Sequence, residues 1–401
     1  MTFVLLGPVG FLAPKGLWFL ILLFFVLHAG TLRSLTADDV RSLLKQKAVF
    51  LAVPCYALFS ALWAIDPGDA AKTSLKLLGY VIAAVLIVLI VQKASDREKR
   101  SILFWSAIGL MAGQAVVWVD VALGGSLFAF ARSDPFIASS YNRGVAITVC
   151  MMLPLTVGLL RLSLKPLALA LIGTSLVTVF VLESESAKLA LVAGVVVYFL
   201  VNRYGRLFWP VLVLLAGLFV AMPAIFSVEL SDKTICTLCG YKCSAAHRLL
   251  IYNYSSQRIF EKPIAGWGMD SARSIPSGKE TAFISGCVYG TRTDNRLQVG
   301  NWMPLHPHSA ALQTWLELGA IGVLLVLGSL ARLVRGMARA PSFERNRGLV
   351  AGIAMSLFMT FNISFGFWQG WLMFSMVLLC ALVALTLRLE PADRSPVSKG
   401  A

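Results

Sequence analysis

Apolar runs of roughly 17–25 residues follow one another along most of the chain, each long enough to cross a hydrocarbon core as a helix. A backbone in lipid must satisfy its own hydrogen bonds, which leaves helices or closed barrels as spanning structures. The runs lack the two-residue alternation of a barrel, so the chain reads as an all-α polytopic membrane protein. Composition agrees: 58% of residues are hydrophobic, 14% are charged and the mean hydropathy is +0.78, outside the range of soluble domains.

The runs predict about twelve transmembrane helices, at 3–13, 16–30, 48–64, 74–92, 101–123, 142–161, 165–182, 186–202, 207–226, 308–333, 347–365 and 369–388. The first is too short to cross unaided and is expected to pair with the second as a hairpin around Pro14-Lys15-Gly16. Met1 to Ala13 has neither a basic start nor a small-residue cleavage site, so it is expected to stay as an uncleaved anchor. The organisation that follows is transmembrane helices over 1–226, one long polar loop over 227–307, further helices over 308–390 and a tail over 391–401.

A net charge of +15 raises nucleic-acid binding as a possibility, but the basic residues do not form one patch. They fall in short clusters between apolar runs: Arg33, Arg41, Lys45 and Lys47; Lys93 to Arg100; Arg161 and Lys165; Arg203 and Arg206; Arg332 to Arg347; and Arg388. The positive-inside rule assigns these loops to the cytoplasm. The turn Asp66-Pro67-Gly68-Asp69, the 124–141 loop, Glu183-Ser184-Glu185 and the long loop then face outward.

The cysteines divide the same way. Cys55, Cys150 and Cys380 fall in apolar spans and read as small core residues. Cys236, Cys239, Cys243 and Cys287 share the outward loop, where an oxidising compartment favours two disulfides of unresolved pairing. The spacing Cys236-x2-Cys239-x3-Cys243-x3-His247 can also be written as a zinc site.

Polar chemistry concentrates where the long loop meets the next apolar run. His308 directly precedes that run, and Ser309 has the character of a helix N-cap. A helix N-terminus disfavours imidazolium, leaving a neutral imidazole able to accept a proton near pH 7. The plainer reading is a structural interface histidine, and His306 is a local competitor. Arg248 and Arg258 lie in the loop; Lys188 stands about one turn into a span, and Arg143 at the outer end of another. Four such cations could ring an anionic group such as a pyrophosphate. Each has a bland alternative: headgroup contact for the loop arginines, and snorkelling or pairing with Glu183 or Glu185 for Lys188. Asp66-x-x-Asp69 could hold a divalent ion but reads as an ordinary turn. Trp267, Tyr289, Trp302 and Trp315 could stack on sugars or serve as interface aromatics.

Three stretches together resemble the O-antigen ligase family and its Wzy-type polymerase relatives. They are Ser60-x-x-Trp63-Ala64-x-Asp66-Pro67; Arg248-x-x-x-Tyr252 with Glu261-x-Pro263-x-x-Gly266-Trp267-Gly268; and His308-Ser309-x-x-x-Gln313-x-x-x-Glu317-x-Gly319-x-x-Gly322. The resemblance implies a GT-C-like membrane glycosyltransferase that moves a glycan from undecaprenyl pyrophosphate to an acceptor sugar hydroxyl, such as lipid A–core. It implies inversion at the anomeric centre, with no cofactor and no metal. The family histidine carries over to His308 and the loop arginine to Arg248. Lys188 stands where the family has a helix arginine, and Gln313, Glu317, Trp267 and Ser309 are expected in support. Ser309 replaces the usual Asn and Tyr252 the usual Trp. A polymerase with the same donor remains the alternative, and a transporter a more distant one.

Overall fold

The computed structural model describes residues 2–34, 36, 48–132, 138–285 and 296–390. Arg41, Lys45, Lys47, Cys287, Tyr289 and the 391–401 tail lie outside the described residues. Each apolar run becomes a helix, and among the described residues seven helices are long and apolar enough to cross a membrane. With labels in chain order, α1 (Leu6–Leu12) and α2 (Leu17–Leu27) form the expected hairpin through a 3-10 turn at Pro14–Gly16. Phe3 and Phe24 meet across it, their ring centroids 5.8 Å apart. After α3 (Ala29–Arg33) come α4 (Val49–Phe59), α5 (Pro67–Lys93), α6 (Asp96–Ala122) and the short α7 (Ser126–Arg132). They are followed by α8 (Asn142–Arg161), α9 (Lys165–Val181), α10 (Glu185–Arg203) and α11 (Phe208–Phe226).

Helix α8 is the centre of the bundle, buried from Gly144 to Leu159 without a break. A helix apolar on all sides can be covered on all sides, and α8 has no polar face to turn outward. Cys150 is buried on it, whereas Cys55 and Cys380 are exposed on the flanks of their helices rather than in the core. In lipid an outward-facing thiol costs little, so hydropathy alone could not place them.

The segment after α11 is not all helical. It contains α12 (Asp232–Glu261), interrupted at Lys242, and a two-stranded antiparallel sheet of β1 (Thr281–Ser285) and β2 (Arg296–Asn301). The sheet is absent from the all-α expectation. The chain then returns through α13 (Ala310–Ala338), α14 (Phe343–Ile363) and α15 (Gly370–Arg388).

Cys239 and Cys243 are joined as a disulfide flanking the Lys242 interruption, and Cys236 is also disulfide-bonded. These bonds replace the zinc alternative, since sulfur held in a disulfide is not a thiolate ligand. His247, the fourth member of that alternative, instead bonds the Asn301 carbonyl through Nε2 at 2.8 Å. Asp66 is an N-cap, its Oδ1 accepting from the Asp69 amide at 2.9 Å.

Polar contacts gather the loops at two opposite ends. At one, Arg100 reaches the Leu162 carbonyl, Arg161 bonds Asn346, and Arg345 faces Glu390. At the other, Thr73 near the start of α5, Ser186 at the start of α10 and the 252–270 segment all converge on the end of α14 and the start of α13.

Candidate functional site

The site is built around a break in α13. Gly319 adopts φ 62° and ψ −164°, so the helix stops after Leu318 and restarts at Ala320. Four backbone groups there lose their helical partners. The Pro263–Gly268 loop supplies replacements: Ala320 and Ile321 amides donate to the Pro263 and Ile264 carbonyls (2.9 and 3.2 Å), while Trp267 and Gly268 amides donate to the Leu316 and Glu317 carbonyls (both 2.8 Å). Backbones this close leave no room for side chains. A Cβ on Gly266 would stand 2.5 Å from the Glu317 carbonyl, and one on Gly319 would stand 2.3 Å from the Ile264 oxygen. Both residues also have positive φ, which glycine alone adopts without cost. The Gly-Trp-Gly and Glu-x-Gly stretches are therefore two halves of one docking joint. The Ser60 stretch is its third wall, with Ser60 Oγ accepting from the Met269 amide at 2.9 Å.

Glu317 lies at the centre of the joint and is fully buried. Its carboxylate accepts from Gln313 Nε2 (3.0 Å), the Trp368 indole (2.7 Å) and the Asp270 amide (3.0 Å). Gln313 Oε1 in turn accepts from the Phe367 amide at 2.8 Å. One side chain thus fixes the loop before β1, the broken helix and the link between α14 and α15.

His308 stands on this frame. Ser309 caps α13 as expected, its Oγ accepting from the Leu312 amide at 3.3 Å and donating to Asn362 Oδ1 at 3.1 Å. Ser309→Ala should cost about 1 kcal/mol of stability, checked by thermal unfolding. His308 itself has φ 54°, a conformation that a non-glycine residue holds only when its surroundings enforce it. The enforcement is visible. Its Nδ1 lies 2.8 Å from the Ser364 carbonyl, and the Tyr252 hydroxyl donates to the Asn362 carbonyl at 3.1 Å and faces the His308 carbonyl. Ser364 is bonded to Ser186 at the start of α10.

A carbonyl only accepts, so Nδ1 carries the proton and Nε2 keeps its lone pair. No described residue is bonded to that Nε2. Burial, reinforced by the positive charge of Arg248, pushes the imidazole below the usual histidine range. His306 is the poorer base. Its Nε2 meets the Gln369 amide at 2.7 Å and its Nδ1 meets the His308 N–H at 3.2 Å, so neither nitrogen is open. Burial pushes it down to about 3, with His308 and Arg273 adding to the effect.

The four cations expected from sequence are not equivalent. Arg248 is half-buried beside His308 and Tyr252, and no described carboxylate pairs with it or with Arg143 at the start of α8. Lys188 is held by Glu185 at 3.0 Å, and Arg258 by Glu261 at 2.7 Å, with its guanidinium 5.1 Å from the Tyr254 ring. The structure adds a cation that sequence reading missed. Arg273, half-exposed, acts electrostatically on His306, and Asp270 Oδ1 accepts from its Nε and Nη2 (3.1 and 2.8 Å). Asp270 is oriented in turn by Thr73, which donates to Oδ2 at 2.8 Å, and by Glu317. No spacing motif marks Arg273; its nearness to the Gly-Trp-Gly turn was the only available signal. Trp267 is an anchor, its indole donating to the Arg258 carbonyl at 2.9 Å while Lys262 lies 4.0 Å over its ring.

These features define a polytopic helical membrane protein with a buried, neutral histidine at one end of the bundle, beside a guanidinium that no described carboxylate pairs. Residues 167–327 match the family model described as O-antigen ligase, which is what this part of the chain is similar to. The matched segment holds Lys188, Arg248, Arg258, the docking joint and His308, and leaves Arg143 outside. Two similar proteins are from Rickettsia conorii (28% identical) and Rickettsia prowazekii (29% identical), each provisionally named a polysaccharide ligase. Each match covers 160 residues, 40% of this chain, and 35% and 36% of the respective relative.

Proposed function

We propose that the protein is a glycosyltransferase of the O-antigen ligase type. It takes a glycan from undecaprenyl pyrophosphate and joins it to a sugar hydroxyl, such as one on lipid A–core, at the periplasmic face of the inner membrane. The observation that carries this reading is the open Nε2 of a neutral His308 beside the unpaired Arg248. His308 takes the acceptor hydroxyl proton as its oxygen attacks the anomeric carbon, and the bond to the pyrophosphate breaks. A single displacement inverts that carbon. Arg248, joined by Arg273, faces the charge developing on the leaving pyrophosphate, with Lys188, Arg143 and Arg258 in outer positions. A cleft of about 320 Å3 lined by Ser274, Ile275, Ser277, Lys279 and Glu280 follows Arg273 in the chain. The reading requires neither metal nor cofactor.

Transport would use a broken helix to leave backbone groups free for a substrate or ion. In α13 the freed groups are bonded to the 263–268 loop and Glu317 is fully engaged, which favours a fixed catalytic frame. A polymerase shares the donor and differs only in acceptor. The test is transfer by purified protein in nanodiscs, with a lipid-linked glycan offered with and without lipid A–core. Product on lipid A–core supports the ligase; a ladder of longer lipid-linked glycans without that acceptor establishes the polymerase; no transfer to either removes the proposal.

Within this assay, Arg248→Gln and Arg273→Gln should each lower kcat/KM about 100-fold, since each removes a charge-assisted contact. Lys188→Gln, already paired with Glu185, should lower it less than about tenfold. Equal losses for Lys188 and Arg248 would show that the Glu185 pair opens during turnover.

A further inference from the structure

At the end of the bundle opposite His308, a cleft of about 390 Å3 is lined by Pro341, Ser342, Arg345, Leu387, Arg388 and Glu390. Its floor is rigid. Arg161 Nη2 donates to Asn346 Oδ1 at 2.8 Å, and Asn346 Nδ2 donates to the Leu387 carbonyl at 3.0 Å, tying α8, α14 and α15 together.

The charges around this floor do not balance. Arg161 lies within electrostatic reach of Arg345, and Arg388 ends α15 on the same rim. The carboxylate lining the cleft is Glu390, 3.6 Å from Arg345 and mostly exposed. Glu344, next in sequence, is committed to Arg347. Arg345 Nε is buried and has no hydrogen-bond partner, which is costly for a charged group unless something completes it. The Ser342 hydroxyl makes no capping bond to α14 and is a further donor on the wall.

We propose that this cleft binds one phosphate group, of the kind an anionic phospholipid presents at the membrane surface. A tetrahedral oxyanion offers acceptors to the Arg345 and Arg388 guanidinium groups and to the Ser342 hydroxyl that line the cleft, and guanidinium is well shaped for it. Pro341 and Leu387 add an apolar part to the lining, suited to the glycerol and acyl end of a lipid. Bound lipid would brace α14, whose far end carries the Asn362 and Ser364 contacts to His308 and Ser309.

The test is native mass spectrometry of the delipidated protein titrated separately with phosphatidylglycerol, diacylglycerol and inorganic phosphate. Phosphatidylglycerol retained at one per protein, with diacylglycerol not retained, identifies a lipid headgroup; retention of inorganic phosphate identifies the free ion as a ligand of the same site. Either binding should weaken about tenfold in Arg345→Gln/Arg388→Gln. It should be unchanged in Arg335→Gln/Arg339→Gln, which removes the same charge from the exposed end of α13. Arg388→Gln alone, at an exposed position, should weaken it about threefold without lowering thermal stability. Binding of diacylglycerol equal to phosphatidylglycerol, an unaffected Arg345/Arg388 variant, or an equal loss in the Arg335/Arg339 control would each overturn the proposal.

Discussion

His308→Ala should lower glycan transfer about 10²–10⁴-fold, the range expected when a general base is removed, while leaving donor binding within about twofold. The pH profile provides a sharper check. A base acts when unprotonated, so activity is present above its pKa and lost as the pH falls through it. Burial and Arg248 hold His308 below the ordinary histidine range. The acid limb of kcat/KM should therefore lie below pH ~6.5, with a flat profile from there to neutrality. In Arg248→Gln the limb should move upward, because one cause of the depression is gone. An acid limb above pH ~6.5 in the wild type, or transfer by His308→Ala at the wild-type rate, would remove the histidine from the chemistry. His306→Ala should retain more activity than His308→Ala, since both its ring nitrogens are already engaged.

Gly319→Ala should be among the most damaging substitutions of an uncharged residue. The new Cβ would stand 2.3 Å from the Ile264 oxygen, at a φ and ψ that glycine alone adopts readily. The expected cost is about 2–4 kcal/mol, read as a lowered unfolding temperature together with lost transfer. Glu317→Ala reaches the same joint by another route. It leaves the Gln313 amide, the Trp368 indole and the Asp270 amide without their acceptor, at a cost of about 3 kcal/mol or more. Glu317→Gln keeps the shape and should be milder. A stable Gly319→Ala protein with normal turnover would mean that the break in α13 is incidental to the site.

The two predictions draw on different levels of information. His308 and its cap Ser309 could be read from the sequence, because a polar loop giving way to an apolar helix is a local signal. The cysteine cluster of the long loop could be read for the same reason. Gly319 could not: in sequence it sits inside an uninterrupted helical pattern, and its φ is set by a loop more than 50 residues upstream. Lys188 is open to two readings in the sequence, a functional cation or a partner of Glu183 or Glu185, and the turn that carries Glu185, wound beneath it, supplies the pair.

The sequence by itself determined that the chain spans a membrane as a helical bundle and that its polar chemistry meets at the start of α13. Both follow from the cost of exposing backbone and charge to lipid, a cost paid residue by residue along each run. Only the tertiary structure decided which nitrogen of which histidine is open, that Arg273 rather than a span lysine adjoins the histidine pair, and that Glu317 is the joint of three segments. These depend on backbones meeting at hydrogen-bond distance across long stretches of chain, and no local pattern encodes such contacts.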